Sequence, residues 1–211
     1  MLKNKKLLVI TSIVTLFPML AGILLWNRLP DKVPIHWNSA GEIDGWGSKP
    51  FAVFGLTLII FACQWLSILA SLADPKNKNQ GMKPIKLVLW ICPVISIWAS
   101  TMIYTAAMGV ELSMELLMPV LMGVLFIIVG NYLPKCKQNY TIGIKIPWTL
   151  DSEENWNQTH RMAGRLWVIG GILMIFTVFL PNKFMVAAMV VELLVMVTVP
   201  MIYSYRLYKN R

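Results

Sequence analysis

Residues 130–165 read GNYLPKCKQNYTIGIKIPWTLDSEENWNQTHRMAGR. A hydrophobic run stops where this stretch begins, about thirty polar and aromatic residues follow, and a second hydrophobic run then starts. Backbone that is neither helical nor paired is not left facing lipid, so an interruption of this kind belongs at a membrane face. It is the natural working surface of a membrane protein.

The rest of the chain supports that frame. Of 211 residues, 57% are hydrophobic and only 14% charged, and mean hydropathy is +0.63. A soluble domain carries about a quarter charged residues. The apolar residues fall in runs close to the roughly 20 residues that span a bilayer core. The net charge of +9 sits in short loops between those runs, which is a topology signal and not the footprint of direct nucleic-acid binding. Cys63, Cys92 and Cys136 make an odd count with no CxxC, so free thiols are expected.

Taken in order, apolar runs at about 7–26, 51–72, 87–108, 116–133, 163–180 and 184–205 predict an all-α membrane protein, a bundle of six transmembrane helices in one polytopic domain, 1–211. Pro18 and Pro93 are expected to kink the first and third. The first run is too long for a cleaved signal peptide core. Small residues at Ser67/Ser71, Ser96/Ser100 and Gly170-Gly171 suit close helix packing. Six spans put both ends on one side, and fifteen Lys/Arg lie on that side against four on the other. Both termini are therefore expected to be cytoplasmic, with 28–50 an extracytoplasmic loop module and 130–165 a cytoplasmic signature loop.

In the 28–50 loop, RLPDKVPIHWNSAGEIDGWGSKP, Val33, Ile35 and Trp37 alternate with polar residues. A short extended segment followed by turns is expected. His36, near Glu42 and Asp44, can be read as a metal ligand, a pH-sensitive group or part of a peptide-binding surface. A histidine hydrogen-bonded within a turn outweighs the metal reading. In the signature loop, Asp151 and Glu154 fit a capping box. A helix from about residue 152, running on into the fifth span, would put Trp156, His160, Ala163 and Trp167 on one stripe. Spacing alone favours an interfacial helix lying on the membrane, with Arg161 and Arg165 at lipid phosphates. Glu192 is the acid deep inside an apolar run, where an ionisable group is expensive, and Gln64 is its candidate partner. No HExxH, GxSxG, P-loop or dinucleotide fingerprint is present, so neither an enzyme nor a cofactor or metal site is expected.

Two segments resemble a known family. Gly130-Asn131, Asn139-Tyr140, Ile142-Gly143, Pro147-Trp148-Thr149, Trp156, Thr159-His160 and Ala163-Gly164 are similar to the signature of SdpI-type membrane proteins. Pro30, Pro34, His36, Asn38, Gly41, Gly45 and Lys49 resemble the short module that commonly precedes it. The resemblance implies immunity to a secreted, sporulation-delaying toxin peptide. It also implies capture of a small winged-helix autorepressor at the membrane. Mapped onto this chain, His36, Trp37, Asn38, Glu42, Asp44 and Lys49 would face the toxin. Asn131, Asn139, Tyr140, Gly143, Pro147, Trp148, Thr149, Trp156, Thr159 and His160 would form the partner-binding surface. The competing readings are a small transporter using Glu192 and Gln64, and a membrane-embedded metal enzyme using His36.

Overall fold

The computed structural model describes residues 5–76 and 80–210; Lys3, Lys78 and Arg211, counted in the charge asymmetry, lie outside them. Helix α1 spans Lys5–Leu24. A hairpin of β1 (Lys32–Trp37) and β2 (Ile43–Ser48) follows. A π-helical turn, Phe51–Gly55, leads into α2, Leu56–Ala73. Then come α3 (Met82–Ala107) and α4 (Met114–Tyr132). The short α5 (Pro147–Asp151) precedes α6 (Glu153–Phe176) and α7 (Asn182–Lys209). Among the described residues six helical segments are long and apolar enough to cross a membrane. The six expected spans are all found, and α1 and α3 run on through Pro18 and Pro93. The chain is a multi-pass membrane protein.

Helix ends differ from the sequence expectation in an instructive way. Helix α3 starts at Met82, five residues earlier than the apolar pattern, and takes in Lys83, Pro84 and Lys86. Proline is tolerated in a first turn, where its missing N–H has no helical partner to lose, and lysines near the end of a span reach toward water. The helix expected from about residue 152 does run on into the fifth span, as one continuous helix from Glu153.

The chain divides into two compact units. The first comprises residues 1–69 and 88–114. In it the antiparallel hairpin sets Val33 opposite Gly47 and His36 opposite Gly45, with an irregularity at Ile35. Leu29 and Val33 anchor the hairpin by packing with Ala52, Val53, Ile103 and Tyr104. Deeper in the unit, Gln64 is 1% exposed. Its Nε2 donates to Thr11 Oγ1 at 3.2 Å, and its Oε1 accepts from the Thr15 hydroxyl. Ser96 Oγ donates to the Thr15 carbonyl at 2.7 Å. Polar side chains at membrane depth are thus satisfied by one another, as the lack of water there requires.

The second unit comprises 70–87 and 115–211. Helices α4 and α6 run antiparallel and meet backbone to backbone at two glycine pairs. A Cβ on Gly123 would come 2.5 Å from the Gly171 carbonyl, and one on Gly130 would come 2.8 Å from that of Gly164. Close approach through small residues is how helices gain packing where lipid removes the hydrophobic drive. Trp167 lies on the same side of α6, its Nε1 donating to the Met196 carbonyl of α7 at 3.0 Å.

Candidate functional site

The segment between α4 and α6 is a folded cap on the first turns of α6. Pro147 fixes φ for the first turn of α5, and Thr149 Oγ1 accepts the Ile146 N–H at 3.1 Å while lying 2.8 Å from the Ile144 carbonyl. The helix cap expected at Asp151 is instead made by Ser152. Its Oγ accepts the Asn155 N–H at 3.2 Å, while Asp151 ends α5. Glu153 and Glu154 occupy the first turn of α6, where the helix dipole favours acids.

The stripe on α6 is real, but it meets this cap and not lipid. Trp156 is fully buried and His160 is 1% exposed; their rings stack at 4.0 Å. Trp156 Nε1 donates to the Cys136 carbonyl at 2.8 Å. His160 Nδ1 lies 2.8 Å from the Trp156 carbonyl, and Nε2 accepts the Ile144 N–H at 2.9 Å. An acceptor at Nε2 puts the proton on Nδ1, so the imidazole is neutral. The reading of an interfacial helix is corrected accordingly: an indole placed at the lipid boundary would not have its N–H and both faces enclosed by protein.

Asn139, also fully buried, pins the turn before Gly143. Its Oδ1 accepts the N–H groups of Thr141 at 2.8 Å and Ile142 at 2.6 Å, and its Nδ2 donates to the carbonyls of Lys137 and Ile142. Gly143 has φ +119°, and a Cβ there would lie 2.5 Å from His160 Nε2. Asn155 clasps α7: Nδ2 donates to the Ser204 carbonyl, and Oδ1 accepts from the hydroxyls of Ser204 and Thr159. Cys136 is buried, and loss of hydration pushes its thiol up to about 11.

A model of the SdpI/YfhL protein family matches residues 135–204. The matched region takes in the cap from Lys135, all of α6 and α7 as far as Ser204. A second model, for a domain of unknown function (DUF1648), matches residues 13–61, which take in most of α1, the hairpin and the start of α2. Over 202 residues, 96% of each chain, the protein is 25% identical to "Immunity protein SdpI" of Bacillus subtilis (strain 168). No solved structure matches.

The ten residues singled out by sequence in and around the cap separate into two groups. Asn139, Thr149, Trp156, Thr159 and His160 are buried, and Gly143 is wedged against His160. Tyr140 is 49% exposed, and Asn131 and Pro147 are exposed. Trp148 is half-buried against Tyr205, with centroids 5.0 Å apart. The first group shapes the surface that the second presents.

Sequence reading missed the group that ties a second loop to this cap. Asp74, 6% exposed, accepts the Tyr140 N–H at 2.7 Å, the Thr141 hydroxyl at 3.0 Å and the Lys76 N–H at 2.9 Å. Gln80 Oε1 accepts the Lys137 N–H at 2.9 Å. Lys76 Nζ reaches Gln138 Oε1 and lies 4.9 Å from the centre of the Tyr140 ring. The available signal was the single acid in a loop of lysines. Asp74→Ala leaves three donors without their acceptor and is expected to cost about 2–3 kcal/mol in local cap stability. Amide hydrogen exchange at Tyr140 is the check, and an unchanged rate there would refute the role of Asp74.

The hairpin residues lie in the first unit. His36 Nδ1 pairs with Asp44 Oδ1 across the strands, both exposed. Asn38 Oδ1 accepts the N–H groups of Ala40 and Glu42, closing the turn, and Asn38 Nδ2 donates to Glu42 Oε2 at 3.1 Å. Lys49 pairs with Asp31 at 3.3 Å and lies over Trp26. Trp37 is half-buried. Among the described residues no three His, Cys, Asp or Glu are placed to hold one metal ion. The amide of Gln64 is engaged within its own unit by Thr11 and Thr15. Glu192 lies in α7, with one buried carboxylate oxygen that has no hydrogen-bond partner among the described residues.

Proposed function

We propose that this membrane protein makes its bacterium immune to a secreted toxin peptide. The observation that carries the reading is similarity along 96% of both chains to a protein named for immunity. The hairpin, with His36, Trp37, Asn38, Glu42, Asp44 and Lys49, is then the extracytoplasmic, toxin-facing element. The cap lies on the cytoplasmic side with both termini, as the excess of Lys/Arg supports. There Asn131, Tyr140, Pro147 and Trp148 offer a surface to a small winged-helix autorepressor, held in shape by the buried set from Asn139 to His160. Signalling requires two states of the protein and a toxin that binds one of them better.

The test is survival of a toxin-sensitive strain challenged with sporulation-delaying toxin peptide, with and without the chain. Protection by the wild type is expected, together with its loss in His36→Ala or Trp148→Ala at unchanged membrane levels. No protection at matched expression overturns the immunity reading. Transport is the second reading, favoured by the unsatisfied carboxylate oxygen of Glu192. It predicts that Glu192→Gln abolishes protection while Trp148→Ala leaves it intact.

A further inference from the structure

An open groove of about 330 Å³ lies within the first unit, between the hairpin turn and the α3–α4 turn. Trp37, Ile43, Val110 and Leu112 contribute apolar surface, and Glu42 and Glu111 contribute carboxylates. Ile43 is 38% exposed and Val110 51%, so solvent reaches the apolar lining. No Lys or Arg lines the groove. Glu111 makes no hydrogen bond or ion pair among the described residues. The α3–α4 turn closes through Gly109, whose φ of +81° lets the chain reverse beneath the hairpin.

Exposed apolar side chains beside carboxylates with no basic neighbour have a definite complement. It is a segment in which an apolar side chain stands next to Lys or Arg. A neutral ligand would leave both carboxylates unmatched, and an acidic one would be repelled. The two chain segments that form the groove are also those that the charge asymmetry assigns to the same side of the membrane, away from the basic loops. We propose that this groove docks a basic, amphipathic peptide, with Glu42 and Glu111 pairing its cations and Trp37, Ile43 and Val110 receiving its apolar side chains. The proposal rests on the immunity reading for the peptide's biological source and on the groove alone for its chemistry.

The test uses the full chain in phosphatidylcholine nanodiscs and a short fluorescent peptide of alternating leucine and lysine, with a leucine–glutamate peptide as its counterpart and empty nanodiscs as reference. The lysine peptide is expected to bind above the reference, and the glutamate peptide is not. Both carboxylates are exposed, so their replacement leaves the fold in place. Glu42→Lys with Glu111→Lys is expected to weaken binding by about tenfold or more, Glu42→Gln with Glu111→Gln by less, and added salt to weaken the wild type. Equal binding by the charge-reversed variant, or equal binding of both peptides, overturns the proposal. The survival assay separates the two readings. Peptide binding without protection retains the groove and removes immunity, whereas protection without peptide binding does the reverse.

Discussion

Gly143→Ala is expected to open the cap. At φ +119° any side chain is strained, and the added methyl would sit 2.5 Å from His160 Nε2 and 2.9 Å from the Trp156 ring. Neither ring can yield freely. They stack on each other, Trp156 is hydrogen-bonded to Cys136, and His160 Nε2 holds the Ile144 N–H. Backbone strain of about 1–3 kcal/mol and overpacking of similar size together predict a loss of roughly 3 kcal/mol or more. Cys136 supplies the readout. With its thiol near 11, only about one molecule in ten thousand carries the reactive thiolate at pH 7. Burial shields even that fraction. In a Cys63→Ala, Cys92→Ala background the wild type should resist a maleimide at neutral pH and react progressively faster as pH rises toward 11. Gly143→Ala should be labelled readily at pH 7. Labelling as slow as in the wild type would mean that the cap tolerates the methyl.

The six spans were legible because a membrane helix is written in nearly every residue of its run. The hairpin was half legible: alternation at Val33, Ile35 and Trp37 marked the first strand, whereas β2, IDGWGS, has two glycines and no such alternation. Periodicity also found the face of α6 that carries Trp156, His160 and Ala163. It could not say what covers that face, since a stripe looks the same whether it meets lipid or a loop. The loop that covers it is built from an amide, a hydroxyl and carbonyls, which carry no hydrophobic pattern. Asp74 is a sharper case. It lies 66 residues from Tyr140, and nothing local in DPKNKNQG distinguishes a carboxylate that caps a distant turn from one that is merely solvated. Asp151 and Ser152 both fit the residue preferences of a helix cap, and only the proline-initiated α5, which takes up Asp151, decides between them.

The adjacent glycines Gly170 and Gly171 should respond oppositely to the same substitution. At Gly171 a Cβ would lie 2.5 Å from the Gly123 carbonyl and 2.9 Å from the Ile127 N–H nitrogen. These are backbone atoms of α4, so Gly171→Ala can be accommodated only by parting two helices. The Gly130/Gly164 contact one heptad away resists that movement, because a Cβ on Gly164 already meets the Gly130 carbonyl at 2.7 Å. Alanine gains about 1 kcal/mol in helix propensity, but overpacking of about 1–3 kcal/mol or more and loss of the seam's contacts outweigh it. At Gly170 the nearest atom is Met196 Sδ at 2.7 Å, part of an unbranched, flexible side chain that re-packs at little cost. Gly170→Ala should therefore be neutral or slightly stabilising, and Gly171→Ala should lower both thermal stability in nanodiscs and the amount of protein in the membrane. Pro134 packs against Gly164 at the start of the cap, so parting the seam should also speed labelling of Cys136. Equal stability of the two variants would refute the backbone seam, and loss of stability at Gly170 alone would place the tight contact on α7 instead of α4.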